Sequence, residues 1–518
     1  MERRHFLKSF GACSASVAFT QSAIAQPKQP NIVFILSDDQ GWTGLSLQVH
    51  DGIPNSKSDF YQTPNTERLA TQGIQFTDAY APAPMCTPTR ASLLTGKSPA
   101  QLHITTPGPG AAQPKKQRVI PPIHHTILSD VTHADLLKKA GYATAHFGKW
   151  HLGGGSPGEH GFDAHDGETA NAGPGLNEDP NPKDIFGLTE RGSAFMEKNV
   201  KSGTPFFLQL SHWAVHGPTL ARESTKAKIA KRTPGKIHNN IDYAAMTEDL
   251  DTSVGMIMEK IDELGIADNT YLVYLSDNGA GNAAPGGQRG ATAAGPPNNY
   301  PLAGGKSSLW EGGVRAPLII RGPGIAKNLY SHTRVVGYDL FTTFCEWAGV
   351  KSLPQGVEGG SLVSLLENRG KGEVQRPHEG IAFHYPHYGR GPTSKPQSSY
   401  LLGDYKLLKT WDGNTLQLFN LAKDIGENND LAQQMPDKLQ DMHARLERYF
   451  ADVGAQLPVE NTAFDADVAR EEMAERRTQQ ASGRRGQRGQ RGQRGTGAEG
   501  ERPAGRRQQP TGGQHRQP

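Results

Sequence analysis

Apolar residues in the first two thirds of the chain occur in short continuous runs rather than in strict alternation. The four clearest runs lie at residues 31–36, 206–208, 270–275 and 316–320. Such runs predict strands that are buried on both faces, as in a parallel sheet. Helical patterns at 134–140 and 241–264 separate them, and each is followed by a glycine. Alternation of strands and helices predicts an α/β fold, with a large and mainly parallel sheet between helices.

The pattern changes near residue 376, where shorter and more polar strands begin. Strands are predicted at 383–385, 399–402, 405–410 and 416–421, and an amphipathic helix at 437–450. Gly403-Asp404 between two of the strands indicates a hairpin. These elements predict a smaller antiparallel sheet with one helix packed on it. We therefore assign a main domain to residues 26–375 and a C-terminal α+β subdomain to residues 376–465.

The ends of the chain are polar and are not predicted to join either domain. A Gly/Arg/Gln repeat at 485–494 cannot bury enough apolar surface to fold, so residues 466–518 are predicted to be a disordered tail. The net charge of the 518 residues is +3, and much of the positive charge lies in this tail. No nucleic-acid partner is predicted, although the tail's arginines could adhere to polyanions.

The first 25 residues have the pattern of a signal peptide. Arg3-Arg4 followed by Phe-Leu-Lys resembles a twin-arginine (Tat) signal, and Ala23-Ile24-Ala25 fits a cleavage site. A general secretory signal is the alternative. We expect export to the periplasm or the medium. No later run of about 20 apolar residues predicts a membrane span.

Polar residues follow two of the predicted parallel strands directly. Asp38 and Asp39 follow the first strand, and Asp277 and Asn278 follow the strand at 270–275. Ligands in open α/β sheets bind beyond the carboxyl ends of the strands. Carboxylate and amide oxygens suit calcium or magnesium. Each of these residues alone would be explained more simply as part of a turn or as a helix cap. Two such pairs at one edge of the sheet favour a metal site.

One of the chain's three cysteines carries the most specific motif. Cys86 lies in a Pro/Thr-rich segment, expected to be a loop, that reads CTPTRASLLTG from residue 86 to residue 96. This segment resembles the signature of formylglycine-dependent sulfatases of the alkaline-phosphatase superfamily. The resemblance implies that a separate maturation enzyme oxidises Cys86 to formylglycine and that Arg90 supports the formylglycine hydrate. Thr89 departs from the serine more usual there.

Three further blocks match the same family in the same order. They lie at residues 147–153 (FGKWHLG), 276–279 (SDNG) and 304–315 (GGKSSLWEGGVR). The resemblance implies that Lys149 and Lys306 contact sulfate, that His151 serves the hydrate as a base, and that His216 protonates the leaving oxygen. It also implies one divalent cation, calcium, held by Asp38, Asp39, Asp277, Asn278 and the modified Cys86.

The function implied is hydrolysis of sulfate esters, with sulfated carbohydrate as the expected substrate. Phosphatases, phosphodiesterases and phosphonate monoester hydrolases of the same superfamily are the alternative, but they usually carry Asp-His where this chain has Asp277-Asn278. A third alternative is that the chain is a relative that binds glycans without catalysing a reaction. His384 and His387 are candidate substrate-binding residues, because aromatic and histidine side chains can stack on sugars. Ordinary packing explains that segment equally well.

Overall fold

The computed structural model of the protein describes residues 29–108, 115–171, 179–281, 298–389 and 394–471. The predicted signal peptide and the Gly/Arg/Gln repeat lie outside these residues, so both stay predictions. No helix in the described ranges has the length and apolarity needed to cross a membrane.

Strands and helices alternate along much of the chain. The strands are β1 (Asn31–Ser37), β2 (Ile74–Phe76), β3 (Ala79–Tyr80), β4 (Val119–Ile120), β5 (Ala143–Gly148), β6 (Ala164–His165), β7 (Phe206–Ser211), β8 (Thr270–Ser276), β9 (Leu318–Arg321), β10 (Leu329–Ser331), β11 (Val335–Val336), β12 (Ile381–Tyr385), β13 (Gln397–Leu402), β14 (Tyr405–Thr410), β15 (Thr415–Asn420) and β16 (Val459–Glu460). The α-helices are α1 (Pro64–Thr71), α2 (Cys86–Thr95), α3 (Pro99–Leu102), α4 (His133–Lys139), α5 (Ile185–Ser202), α6 (Glu223–Ile229), α7 (Ile241–Glu263), α8 (Glu311–Val314), α9 (Asp339–Trp347), α10 (Val363–Glu367) and α11 (Pro436–Val453).

The main sheet has eight strands in the order β10-β2-β9-β8-β1-β7-β5-β6. Strand β1 lies at its centre, pairs in parallel with both β7 and β8, and is buried along its whole length. Strand β9 runs antiparallel to β8 and to β2. Helices cover both faces of the sheet, where two of the hydrophobic clusters lie. The predicted mixed, mainly parallel α/β sheet is confirmed.

Strand β5 was not predicted, although it lies between β7 and β6 in the main sheet. Its sequence, ATAHFG, lacks the continuous apolar run that marks β1 and β8. The buried His146 is accommodated because its Nε2 lies 3.0 Å from Ser211 Oγ on β7. A polar pair between neighbouring strands therefore replaces an apolar contact, and periodicity alone does not detect it.

The C-terminal strands form a separate antiparallel sheet in the order β12-β13-β14-β15. Gly403 forms the predicted hairpin between β13 and β14 with a φ of 55°, a conformation that favours glycine. Helix α11 packs on this sheet through an apolar stripe comprising Leu439, Met442, Leu446, Tyr449 and Phe450. The smaller antiparallel sheet with one helix is thus present as predicted.

A second compact unit comprises the described residues 115–120 and 460–471. Asn461 N donates to Arg118 O over 2.9 Å. The Arg118 guanidinium lies 4.4 Å from the centre of the Phe464 ring. The predicted boundary at residue 465 falls within this unit and stays a prediction.

Candidate active site

The carboxyl ends of β1 and β8 bring both acidic pairs together. These strands are in parallel register, with Ser37 opposite Ser276, so the residues that follow them emerge side by side. Asp39 N donates to Asp277 Oδ1 over 3.1 Å. Asp38, Asp39, Asp277 and Asn278 are all buried. Residues far apart in sequence therefore form one cluster, because a parallel sheet places strand ends at one edge.

Cys86 is the first residue of helix α2, so the expectation of a loop at this position was wrong. Pro88 is compatible with a helix because a proline in the first turn removes an N–H that has no helical partner there. The helix ends at Gly96, which has a φ of 71°. Cys86 is 2% exposed. Its sulfur and one carboxylate oxygen each of Asp38 and Asp277 lie within 4.8 Å of one another.

Arg90 lies one helical turn after Cys86 and binds the same carboxylates. Its Nη2 is 2.8 Å from Asp277 Oδ2 and 3.9 Å from Asp38 Oδ2. Its Nη1 donates to Lys149 O over 2.5 Å. Burial alone would lower the pKa of Arg90, but Asp277 and Asp38 outweigh it and raise that pKa. Arg90 is thus a permanent cation that joins helix α2 to both strand ends.

Lys149 directly follows β5, and the chain turns into the site at Gly148, the last residue of that strand. Gly148 has a φ of 98°, and a Cβ on it would lie 2.1 Å from Ser211 O, so the turn requires glycine. Lys149 Nζ lies 2.6 Å from Asp38 Oδ2, and both side chains are fully buried. Burial would raise the pKa of Asp38, but Lys149, His216 and Lys306 hold it well below its usual value.

His151 lies two residues further on, in a left-handed backbone conformation with a φ of 58°. Thr87 Oγ1 donates to His151 O over 2.9 Å, which links this segment to helix α2. Burial and then the charge of Lys149 lower the pKa of His151 to about 3. The imidazole is therefore neutral and able to accept a proton.

Asp39 is the common partner on the other side of the site. Lys306 Nζ contacts Asp39 Oδ1, and Asn278 Nδ2 donates to the same oxygen over 2.8 Å. His216 Nε2 lies 3.9 Å from Asp39 Oδ2, and its Nδ1 lies 2.6 Å from Gly217 O. Because the Gly217 carbonyl can only accept, Nδ1 carries a proton and Nε2 is the nitrogen that faces the site. His212, four residues earlier, is buried beside Ser253 and lies 3.3 Å from its hydroxyl.

The donor set fits a hard divalent cation. Asp38 Oδ1 and Asn278 Oδ1 are buried and have no hydrogen-bond partner, although buried polar atoms are nearly always paired. Burial and the neighbouring Asp38 raise the pKa of Asp277 well above its usual value. A dication among these oxygens would satisfy the unpaired atoms and relieve the repulsion between the carboxylates.

The two predicted substrate-binding histidines lie elsewhere. His384 is 3% exposed, and its ring nitrogens lie 2.8 Å from Ser398 Oγ and 2.9 Å from Gln456 O. With both nitrogens engaged inside the C-terminal subdomain, His384 cannot contact a sugar, and this part of the prediction is corrected. His387 is also buried, and its Nε2 lies 2.8 Å from Thr105 Oγ1. A substrate contact by His387 stays a prediction.

Sequence reasoning missed a buried ionic cluster that supports the Lys306 segment. Lys406 Nζ on β14 lies 2.8 Å from Glu311 Oε1 and 2.8 Å from Glu427 Oε1. Glu427 Oε2 accepts from Glu311 N over 2.7 Å. Glu311 begins helix α8, whose Gly313 O accepts from Gly279 N over 3.0 Å. The C-terminal sheet therefore holds the segment that follows Lys306 against the strand end that carries Asn278.

This cluster predicts a specific pH dependence of stability. Burial raises the pKa of Glu427 to about 7, Lys406 opposes this shift and Glu311 adds to it. The folded protein thus keeps a proton on Glu427 that the unfolded chain releases near pH 4.5. The associated stability is fully present below that pH and is lost as pH rises through about 7.

We expect Glu427→Gln to remove this loss. At pH 8 the free energy of unfolding should exceed that of the wild type by on the order of 2 kcal/mol, with little difference at pH 5. Urea denaturation at both values measures it. Glu379→Gln, which makes the same charge change on the surface, is the control. Equal pH dependence in the wild type and both variants would refute the prediction.

The fold and the site together define an α/β protein in which acidic strand ends, a buried cysteine and two lysines form one cluster, an arrangement suited to binding a cation and an anionic group. Family models support a narrower class. The model described as Sulfatase matches residues 30–350, and the model described as N-sulphoglucosamine sulphohydrolase, C-terminal, matches residues 305–455.

Individual relatives agree with these matches. A Sulfatase of Formosa agariphila is 31% identical, covering 82% of this chain and 88% of its own length. N-acetylgalactosamine-6-sulfatase of Mus musculus is 32% identical, covering 78% of this chain and 77% of its own. The crystal structure of Ps i-CgsB in complex with k-i-k-neocarrahexaose has a TM-score of 0.65 at 23% identity, covering 81% of this chain and 92% of that one. The chain belongs to the sulfatase family and is a sulfuric ester hydrolase.

Proposed function

We propose that the protein hydrolyses sulfate esters of carbohydrates, using a formylglycine made from Cys86 and one calcium ion. The observation that carries this proposal is the placement of the Cys86 sulfur within 4.8 Å of carboxylate oxygens of Asp38 and Asp277. An unmodified thiol is a soft ligand and suits calcium poorly. A hydrated aldehyde at the same position would present two hard oxygens to the cation.

The chain's own residues account for nucleophilic attack and for release of sulfate. One hydroxyl of the hydrate releases its proton to solvent and attacks sulfur, the sulfur–oxygen bond to the alcohol breaks, and the enzyme carries a covalent sulfate. The second hydroxyl then loses its proton to His151, the carbon–oxygen bond to sulfate breaks, and the aldehyde is restored. Water adds to the aldehyde and forms the hydrate again. The cation would lower the hydroxyl pKa and offset charge on the sulfate oxygens. His151 is neutral in the substrate-free site, and the negative charge of bound sulfate would raise its pKa and strengthen it as a base.

The lysines and His216 would act on the two ends of the ester. Lys149 is paired with Asp38, and Lys306 is paired with Asp39. They could bind the sulfate oxygens by charge-assisted hydrogen bonds. His216 Nε2, held by the bond from Nδ1 to Gly217 O, would protonate the departing alcohol oxygen.

Carbohydrate is the substrate class that the relatives support. The mouse relative is named for N-acetylgalactosamine 6-sulfate, and the matched crystal structure holds a neocarrahexaose. The leader pattern at residues 1–25 adds export to the periplasm or the medium. An exported sulfatase would meet environmental sulfated polysaccharide or its oligosaccharides.

Comparative turnover of an aryl sulfate and the matching aryl phosphate tests the reaction. The enzyme should be co-produced with a formylglycine-generating enzyme, and the peptide containing Cys86 checked by mass spectrometry. We expect formylglycine in the active protein and much faster cleavage of the sulfate. Faster cleavage of the phosphate would favour the phosphatase alternative, and full activity with unmodified Cys86 would contradict the proposed nucleophile.

Removal of the cation is expected to lower both activity and thermal stability. Asp38, Asp39 and Asp277 would be left facing one another in a buried site, and binding energy specific to the folded state would be lost. Chelation should lower the melting temperature by about 5 °C or more, and added calcium should restore it. Differential scanning calorimetry measures the shift. Unchanged melting and activity after verified removal of bound calcium would exclude a cation at this site.

A further inference from the structure

A second group of metal-ligating side chains lies outside the active site. His50, Asp51 and His332 each offer one ligand atom, and these atoms lie within 4.8 Å of one another. His50 and Asp51 belong to the turn after Val49, whereas His332 follows strand β10. None of the three belongs to a motif of the sulfatase chemistry. We propose that they form a binding site for a late first-row divalent cation, with zinc as the best fit.

Each histidine lies close to one oxygen of Asp51. His50 Nδ1 lies 3.4 Å from Asp51 Oδ1, and His332 Nε2 lies 3.5 Å from Asp51 Oδ2. Bonds of about 2.0 to 2.1 Å in a tetrahedral arrangement separate neighbouring ligands by roughly 3.3 Å. The three ligand atoms, which lie within 4.8 Å of one another, would draw closer around a zinc ion, and the exposed side chains of Asp51 and His332 are free to move in this way. The open side of the site faces solvent, which leaves room for water as the remaining ligand.

The ring of His332 is oriented by a contact with Thr77. Thr77 Oγ1 lies 3.3 Å from Ser331 O. The same hydroxyl lies 3.0 Å from His332 Nδ1, so this nitrogen is engaged within the protein. Nε2 is the nitrogen that faces Asp51, and a metal bound to it would select the tautomer that carries the proton on Nδ1. Metal-bound histidines are commonly oriented in this way by a bond from the other ring nitrogen.

His50 is also held in place. Its ring packs edge-on against Trp42 at 6.4 Å, and its carbonyl accepts from Ser56 Oγ and Gln48 Nε2. Gly52 N donates to His50 Nδ1 over 3.0 Å, but it lies equally near Asp51 Oδ1. Releasing Nδ1 to a metal therefore leaves the Gly52 N–H a partner.

Asp51 completes the set as the only anion. Among the described residues, its carboxylate lies within 4.0 Å of the ring nitrogens of His50 and His332 and of no lysine or arginine nitrogen. Two neutral imidazoles and one carboxylate are typical ligands of zinc rather than of calcium, which prefers oxygen. Bound zinc would tie the turn after Val49 to the end of β10.

Zinc titration in the presence of saturating calcium tests this site separately from the catalytic cation. Isothermal titration calorimetry of the full chain should show one zinc ion bound with calcium present. His332→Ala and Asp51→Asn should each weaken zinc binding by at least about tenfold, and Thr77→Val by about tenfold through loss of the orienting bond. His165→Ala, which removes another exposed histidine, should leave the affinity unchanged.

Thermal melting provides the second readout. Zinc should raise the melting temperature of calcium-loaded wild type and of His165→Ala, but not of His332→Ala. Zinc affinity of His332→Ala equal to that of the wild type would overturn the proposal. Absence of zinc binding to the wild type under millimolar calcium would overturn it as well. Neither result depends on whether the protein cleaves sulfate esters.

Discussion

Cys86→Ala is expected to lower sulfate release by at least about a thousandfold, because it removes the atom from which the proposed nucleophile is made. Folding should persist, since the methyl of alanine keeps the start of helix α2. Binding of calcium should weaken but remain, because Asp38, Asp39, Asp277 and Asn278 still supply oxygens. Steady-state turnover of an aryl sulfate measures the loss, and calorimetry with calcium measures the retained binding.

Cys345→Ala is the matched control. Cys345 is a second buried free cysteine, on helix α9, and burial raises the pKa of its thiol to about 12. Such a thiol is inert, so its removal should cost stability but leave the rate on aryl sulfate near that of the wild type. Equal rates for Cys86→Ala and the wild type would refute the proposed mechanism. Equal losses in both cysteine variants would indicate a general effect on folding.

Cys86→Ser separates attack from release. A serine hydroxyl could still attack sulfur, but the sulfated serine lacks the second hydroxyl that would expel sulfate. We expect a covalently sulfated peptide after incubation with substrate, with little continuing turnover. Mass spectrometry detects this species.

The sequence alone predicted those strands of the fold that consist of a continuous apolar run. The runs in β1 and β8 predicted central parallel strands, and the polar residues that follow predicted where the acidic pairs meet. Antiparallel β9 has a similar apolar run, so its direction could not be read from composition. Strand β5 was not predicted because His146 interrupts its apolar pattern. The hydrogen bond between His146 and Ser211 depends on the neighbouring strand β7, which local sequence does not reveal.

Site residues that belong to a local sequence motif were predictable. Site residues whose role depends on contacts between distant segments were not. Cys86, Arg90, Lys149 and Lys306 were identified by local sequence blocks, and the structure brings all four to the same acidic cluster. Lys406 supports this site from a different sheet, and no local pattern distinguishes it from a surface lysine. His384 was misjudged for the same reason, since only the fold places Ser398 and the Gln456 carbonyl beside its ring.

His216→Ala is expected to affect turnover according to the leaving group. Carbohydrate alcohols are poor leaving groups and require a proton, whereas an activated phenol departs as a stable anion. Loss of a general acid should therefore reduce kcat/KM on a sugar sulfate by about 10² to 10⁴-fold and reduce it much less on an activated aryl sulfate. A series of aryl sulfates with increasing phenol pKa measures this dependence.

The pKa of His216 in the substrate-free site is consistent with a general acid that becomes protonated only when the sulfate ester binds. Burial lowers the pKa of His216 to about 4, although Asp38 and Asp39 oppose this shift. A bound sulfate ester adds negative charge near Nε2, which raises that pKa and favours the protonated form. His212→Asn, four residues earlier and beside Ser253, is the control: it should alter stability without any dependence on the leaving group. If His216→Ala slowed all esters by the same factor, His216 would act in binding or structure rather than as the acid.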